Sequence, residues 1–207
     1  MQIIIANKSH CIYAETICET IALAAKDRGT GIAKRTPEYI ISKMENGNAV
    51  IALDGENFAG FCYIEAWNHG KFVANSGLIV HPYYRNQGLA KTIKKVIFKH
   101  SRTKFPNSKV FSITTGLAVM KMNSELGYKP VTFSELTDDQ SFWKGCQTCK
   151  NYDVLTRTDQ KMCLCTGMLY DPIKTKVTKS ESHNYDKKVW TRLKNIKQSI
   201  FLKKDKK

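Results

Sequence analysis

The stretch Leu78-Ile79-Val80-His81-Pro82-Tyr83-Tyr84-Arg85-Asn86-Gln87-Gly88-Leu89-Ala90-Lys91 constrains this chain more than any other. A strand of buried character ends at a proline, and a short loop leads straight into a helix. Gly88 and Ala90 leave the first helical turn almost free of side chains. The backbone N–H groups of a first turn have no intrahelical partner, and they lie at the positive end of the helix dipole. Such a turn can hold a pyrophosphate at close range. Arg85 adds a charge-assisted contact to the same anion. An ordinary strand-to-helix loop is the plain alternative, but strand, proline, arginine, glycine, small residue and helix in that order favour the anion site.

The surrounding pattern gives the frame for this turn. Residues 2–6 read as a short strand. Ile12, Ile17, Ile21, Ala24 and Ala25 predict a helix over 10–27, stopped at Arg28-Gly29. Thr36-Pro37-Glu38 is a helix start and Asn46-Gly47-Asn48 its end. Strands follow at 49–53 and 58–67, joined by the hairpin signal Asp54-Gly55, and then at 72–80 after Asn68-His69-Gly70. A long amphipathic helix is expected over 88–105, a strand over 110–114, and a second helix over 117–126 ending at Gly127. Strands first, then strand–helix–strand–helix, predict a mixed α/β (α+β) fold, its sheet carrying helices on both faces. Beyond Pro130 the pattern is short and irregular, with a cysteine-rich stretch from Cys146 to Cys165.

The net charge of +15 is uneven: residues 174–207 hold twelve Lys/Arg against three Asp/Glu, which leaves about +6 for the rest. The body is thus only moderately basic, which suits a phosphate-bearing ligand as well as nucleic acid. Within the tail, Val189, Trp190, Leu193, Ile196, Ile200 and Phe201 recur at three- and four-residue steps, predicting a basic amphipathic helix. It can dock on its own domain or in a homodimer, or meet an anionic membrane surface or RNA. No apolar run is long enough to cross a bilayer, and residues 1–6 lack a signal-peptide pattern, so a cytoplasmic location is expected. Seven cysteines then read as free thiols or metal ligands rather than as a disulfide framework.

The turn Arg85–Ala90 resembles the coenzyme-A-binding motif of the GCN5-related N-acetyltransferases (GNAT), Gln/Arg-x-x-Gly-x-Gly/Ala, and the likeness extends over residues 2–131. It implies a central, mostly antiparallel sheet with one splayed strand pair. Acetyl-CoA or another acyl-CoA would lie in the gap between the strand ending at Val80 and the strand ending near Thr114. Backbone groups of Ile79 and Val80 would meet the pantetheine arm, and Arg85, Asn86, Gln87, Gly88, Leu89 and Ala90 the pyrophosphate. The organisation implied is a core at 1–135, a cysteine-rich extension at 136–173 and the basic tail at 174–207.

A thioester is already activated, so the protein needs to align the amine, remove a proton and stabilise an oxyanion. Asn123 stands where many relatives carry a tyrosine acid, and Ser76 where a strand glutamate is frequent. Glu65, His69 and His81 are therefore the candidate bases, each with a plainer reading as a strand-face, turn or loop residue. Ile113-Thr114-Thr115, Ser124-Glu125-Leu126-Gly127-Tyr128-Lys129-Pro130-Val131 and Leu136 resemble the acetyltransferase domain of bacterial N-acetylglutamate synthases. That likeness implies acetyl or succinyl transfer to the α-amino group of glutamate or a similar amino acid, as in arginine biosynthesis. Lys129, Arg157 and Lys161 are the cations expected to clamp a dicarboxylate. Acylation of protein or peptide amines, or binding of coenzyme A or nucleic acid without catalysis, are the alternative readings.

Cys146-Gln147-Thr148-Cys149 and Cys163-Leu164-Cys165 form C-x2-C and C-x-C pairs, a spacing near that of zinc ribbons. Four thiolates would make a structural zinc site with no open position; reduced buried thiols or a redox pair are the alternatives. Phe142-Trp143-Lys144 suggests that this segment covers the acceptor side as a lid. Cys11, Cys18 and Cys62 fall on core positions of helices and a strand.

Overall fold

The computed structural model describes residues 1–28 and 34–173. Met1–Asp171 form one compact unit. Of a second unit, Pro172–Lys207, the structure describes residues 172 and 173, so the helix expected over 189–201 lies outside the described residues.

Seven strands make one sheet in the order β1-β2-β3-β4-β5-β7-β6. They are β1 (Gln2–Ile5), β2 (Ala49–Asp54), β3 (Asn57–Trp67), β4 (Phe72–Val80), β5 (Lys109–Thr114), β6 (Lys129–Val131) and β7 (Thr166–Tyr170). Every pairing is antiparallel except β4 with β5. Along β2 both residue sets are buried, because helices cover both faces of the sheet. On one face, α1 (Ala14–Arg28) and α2 (Pro37–Glu45) bring Ile17, Ile21, Ile40 and Met44 against Ile51, Phe61 and Tyr63. On the other, α3 (Leu89–Lys104) sets Leu89, Ile93 and Ile97 against Val50, Ala52, Cys62 and Ile64. Lys94 lies among these apolar groups at 2% exposure, its ammonium 5.2 Å from the Tyr128 ring. Burial brings its pKa down to about 8.

Local chemistry explains most boundaries. Thr36 caps α2 by accepting from the Tyr39 amide, with Pro37 at the first helical position. The helix expected from residue 10 begins at Ala14 instead. Asn7 Oδ1 accepts from the Ser9 amide, and the His10 ring accepts from the Asn7 amide, closing the preceding residues into a tight 3-10 turn.

The region beyond Pro130 is more regular than its sequence pattern predicts. After α4 (Leu117–Glu125) and β6 come a 3-10 turn at Phe133–Glu135 and two short helices, α5 (Gln140–Lys144) and α6 (Tyr152–Arg157), and β7 then inserts between β5 and β6. It pairs with β5 from Val110–Tyr170 to Thr114–Thr166. A five-residue strand that follows a cysteine pair carries no turn signal of its own; its partners define it. The boundary expected near residue 135 thus falls inside a single unit. No helix among the described residues is long and apolar enough to cross a membrane.

One irregularity shapes the site. Phe61 pairs with Ile79 and Tyr63 with Ser76, so Gly77 and Leu78 together face Cys62 in a β-bulge. Gly77 takes φ +62°, and a methyl group there would lie 2.2 Å from the Tyr63 ring. Gly77→Ala combines left-handed strain with overpacking. It is expected to lower the unfolding free energy by about 2–4 kcal/mol in urea denaturation, without a change in m.

Candidate active site

Strands β4 and β5 pair only from Phe72–Lys109 to Ala74–Phe111, then diverge. Below the point of divergence lies a cavity of about 820 Å³. Its walls come from the residues before and within α2, from β3 and β4, from the end of β5, and from the cysteine-rich segment. Leu78 and Ile79 line it on one side of the split, Thr114 and Thr115 on the other.

The exit of β4 leads to the anion turn. Pro82–Tyr84 form a 3-10 turn, Asn86 takes φ +63°, and Gly88 at φ +77° is the N-terminal cap of α3. A side chain at Gly88 would meet open space, so its backbone angle is what calls for glycine. Among the described residues, the amides of Gln87, Gly88, Leu89 and Ala90 donate to no protein acceptor. They form a row of unpaired N–H groups at the start of a 16-residue helix. Arg85 is held beside them, Nε donating to the Val80 carbonyl at 3.3 Å and Nη1 lying 3.6 Å from Asp27.

The wall near α2 carries the charge. Arg35 donates from Nε to the Tyr63 hydroxyl at 2.7 Å and from Nη1 to the Lys34 carbonyl at 2.9 Å. Its guanidinium lies 5.1 Å from the Tyr39 ring centre and 5.8 Å from that of Tyr63. Glu65, on β3, accepts from the Tyr39 hydroxyl and sits 3.6 Å from the Lys43 ammonium. Burial pushes the Glu65 carboxyl above its ordinary value, against the pull of Arg35 and of a hydrogen bond from Ser76. Burial lowers the Lys43 pKa, and the nearby Arg35 lowers it further. A carboxylate kept in reach of the cavity with a raised proton affinity is suited to accept a proton.

The opposite wall is aromatic and thiol-lined. Phe142 meets Trp67 at 5.6 Å and Phe111 at 5.0 Å, while Trp143 donates to the Thr137 carbonyl. Asp138 and Asp139 accept from the side chain and amide of Asn68, tying this segment to the β3–β4 turn. The segment therefore supplies one wall of the cavity. Cys146, Cys149, Cys163 and Cys165 all face the cavity. Burial, then repulsion from the neighbouring thiols, pushes Cys146 up to about 11 and Cys165 up to about 12. Among the described residues no group of three or more His, Cys, Asp or Glu is placed to hold a metal ion. The structure thus gives the zinc reading no support.

Of the three candidate bases, Glu65 alone lines the cavity. His69 sits at φ 53° in the β3–β4 turn, away from it. His81 is also outside the lining, with Nδ1 buried and without a hydrogen-bond partner. Lys129, Arg157 and Lys161 are exposed, and none of them reaches the cavity. Lys34 and Arg35 are the cations that do. The sequence carried one hint of them, a basic pair directly before the Thr36-Pro37 cap, and none of Tyr63 as their partner. Asn123, where the sequence resemblance leads one to look for a tyrosine acid, is fully buried, with Nδ2 3.7 Å from the Met168 sulfur.

Comparison with known proteins agrees with this geometry. The acetyltransferase (GNAT) family matches residues 24–117. Among solved structures, the N-acetylglutamate synthase of Neisseria gonorrhoeae, complexed with coenzyme A and N-acetyl-glutamate, aligns over 82% of this chain at 14% identity, with a TM-score of 0.57. The chain spans about a third of that protein, 34% of its length. A phosphinothricin acetyltransferase from Sinorhizobium meliloti in complex with acetyl-CoA aligns over 82% of this chain and 87% of its own, at 14% identity and a TM-score of 0.56. A GNAT-family acetyltransferase from Staphylococcus aureus aligns over 83% and 98%, at 14% identity and 0.55. At these identities the likeness is one of fold. No curated protein matches the chain in sequence.

Proposed function

We propose that this chain, whose residues 24–117 match the acetyltransferase (GNAT) family, transfers an acyl group from acyl-CoA to the α-amino group of glutamate or a similar amino acid. The observation that carries the reading is the split between β4 and β5. It opens on a cavity, with the unpaired amides of the α3 N-terminus at the exit of β4 and Glu65 on the cavity wall. The pyrophosphate of coenzyme A suits the amides of Gln87–Ala90 and the Arg85 guanidinium. Its pantetheine arm suits the gap along Ile79 and Val80, bringing the thioester to the cavity.

Glu65 takes a proton from the amine, directly or through a water. The nitrogen attacks the thioester carbonyl, the C–S bond breaks, and coenzyme A leaves as a thiolate that takes up a proton. The cysteine-rich segment walling the cavity supports a small acceptor rather than a peptide. The synthase with N-acetyl-glutamate bound supports glutamate among small acceptors, and a role in arginine biosynthesis is part of the same proposal.

Thiol release from acetyl-CoA and succinyl-CoA over a panel of amino acids, polyamines and peptides tests this directly. Release with glutamate or a close analogue is expected; release with polyamines or peptides alone would sink the reading. Glu65→Gln is expected to lower kcat/KM by about 10²- to 10⁴-fold. In the parent enzyme the acid limb of the pH–rate profile should lie above the ordinary carboxylate range, because the base works only once deprotonated and its pKa is raised. That limb should vanish in the variant. Arg85→Ala is expected to weaken acyl-CoA binding by about 10- to 100-fold in calorimetry, with a smaller salt dependence.

A further inference from the structure

We infer that Arg35 is the specificity-determining residue of the acceptor site, reading a carboxylate on the amine that is acylated. Arg35 lies in the cavity wall with its guanidinium fixed from several sides. Tyr63 holds Nε, the Lys34 carbonyl holds Nη1, and the rings of Tyr39 and Tyr63 flank it. Tyr63 is itself 1% exposed and packs against the Gly77 bulge, so the anchor does not drift. A guanidinium has five N–H donors, and Arg35 spends two of them. Among the described residues it forms no ion pair. A planar fork fixed in place with open donors is the geometry that takes a carboxylate in a bidentate grip.

The charge balance of the wall points the same way. Glu65 is its carboxylate, and Lys43, Tyr39 and Ser76 already serve it. Arg35 also acts on Glu65, but Lys34, Arg35 and Lys43 together outnumber that single carboxylate, so the wall keeps an excess of positive charge. An acceptor carrying only amines would add to that excess, whereas one carrying a carboxylate neutralises it. Tyr39 touches both sides of the arrangement, with Arg35 over its ring and Glu65 at its hydroxyl. A carboxylate gripped by Arg35 therefore brings a neighbouring amine towards the base. The acceptor class is an amino acid, and polyamines are excluded by charge.

This inference rests on the acyltransferase reading, and the experiment separates the two. The full chain, saturated with coenzyme A, is titrated calorimetrically with L-glutamate, L-glutamine, glutamate α-amide and putrescine, as the parent and as Arg35→Gln and Arg35→Lys. The same panel is assayed for thiol release from acetyl-CoA. Arg35→Gln is expected to weaken glutamate binding by tenfold or more and to raise KM more than it lowers kcat. Coenzyme A binding and the melting temperature should stay near the parent's, and Arg35→Lys should restore part of the affinity. Loss with the α-amide but not with glutamine assigns the α-carboxylate; the reverse assigns the side-chain carboxylate. Glutamate binding within twofold of the parent in Arg35→Gln overturns the inference, as does equal loss of glutamate and coenzyme A. If Arg35-dependent glutamate binding persists while no amine releases thiol, the carboxylate site stands and the transferase reading falls. If putrescine is acylated as well as glutamate and Arg35→Gln changes neither rate, the transferase stands and the carboxylate site falls.

Discussion

Parallel pairing between β4 and β5 ends at Ala74 and Phe111, and beyond it neither strand finds the other. Unpaired strand edges are costly when buried, so a gap of this kind persists only where other structure braces both sides. The brace on β4 is its antiparallel pairing with β3 as far as Val80; on β5 it is β7, paired along the whole strand. The site depends on that split. The cavity lies between the diverging strands, and the unpaired amides of α3 lie just beyond the exit of one of them.

The bulge at Gly77 ties this backbone feature to the charged wall. Two residues of β4 oppose Cys62 there, and the space above Gly77 is filled by the Tyr63 ring. The Tyr63 hydroxyl in turn positions Arg35, whose charge acts on both Glu65 and Lys43. Backbone geometry in the sheet, aromatic packing and the proton affinity of the one cavity carboxylate that β3 supplies are thus linked through direct contacts. Across the cavity, the cysteine-rich segment packs through Phe142 and Trp143 and is tied to the β3–β4 turn by Asn68.

The regular part of the fold was legible in the sequence because its signals are local. Thr36-Pro37 caps α2 as read, and β4 runs over the expected residues. β2 and β3 are buried almost continuously, as strands covered on both faces are. The turn into α3 was legible for the same reason, since a glycine at positive φ opening a helix is a matter of a few adjacent residues. β7 was not legible, and neither was the acceptor wall. Of the expected bases Glu65 reached the cavity, while His69 and His81 did not; of the expected cations none did.

The sequence by itself determined most elements up to α4 and the glycine turn that opens α3, because capping, periodicity and glycine backbone preference act within a few residues of one another. Which side chains face the acceptor was decided by tertiary structure alone. Arg35 and Tyr63 are 28 residues apart and Tyr39 and Glu65 are 26 apart. Their meeting depends on the register of β3 against β4 and on how α2 lies over the sheet. Register and helix placement are set by burial summed over the whole core, and no short stretch of the chain encodes that sum.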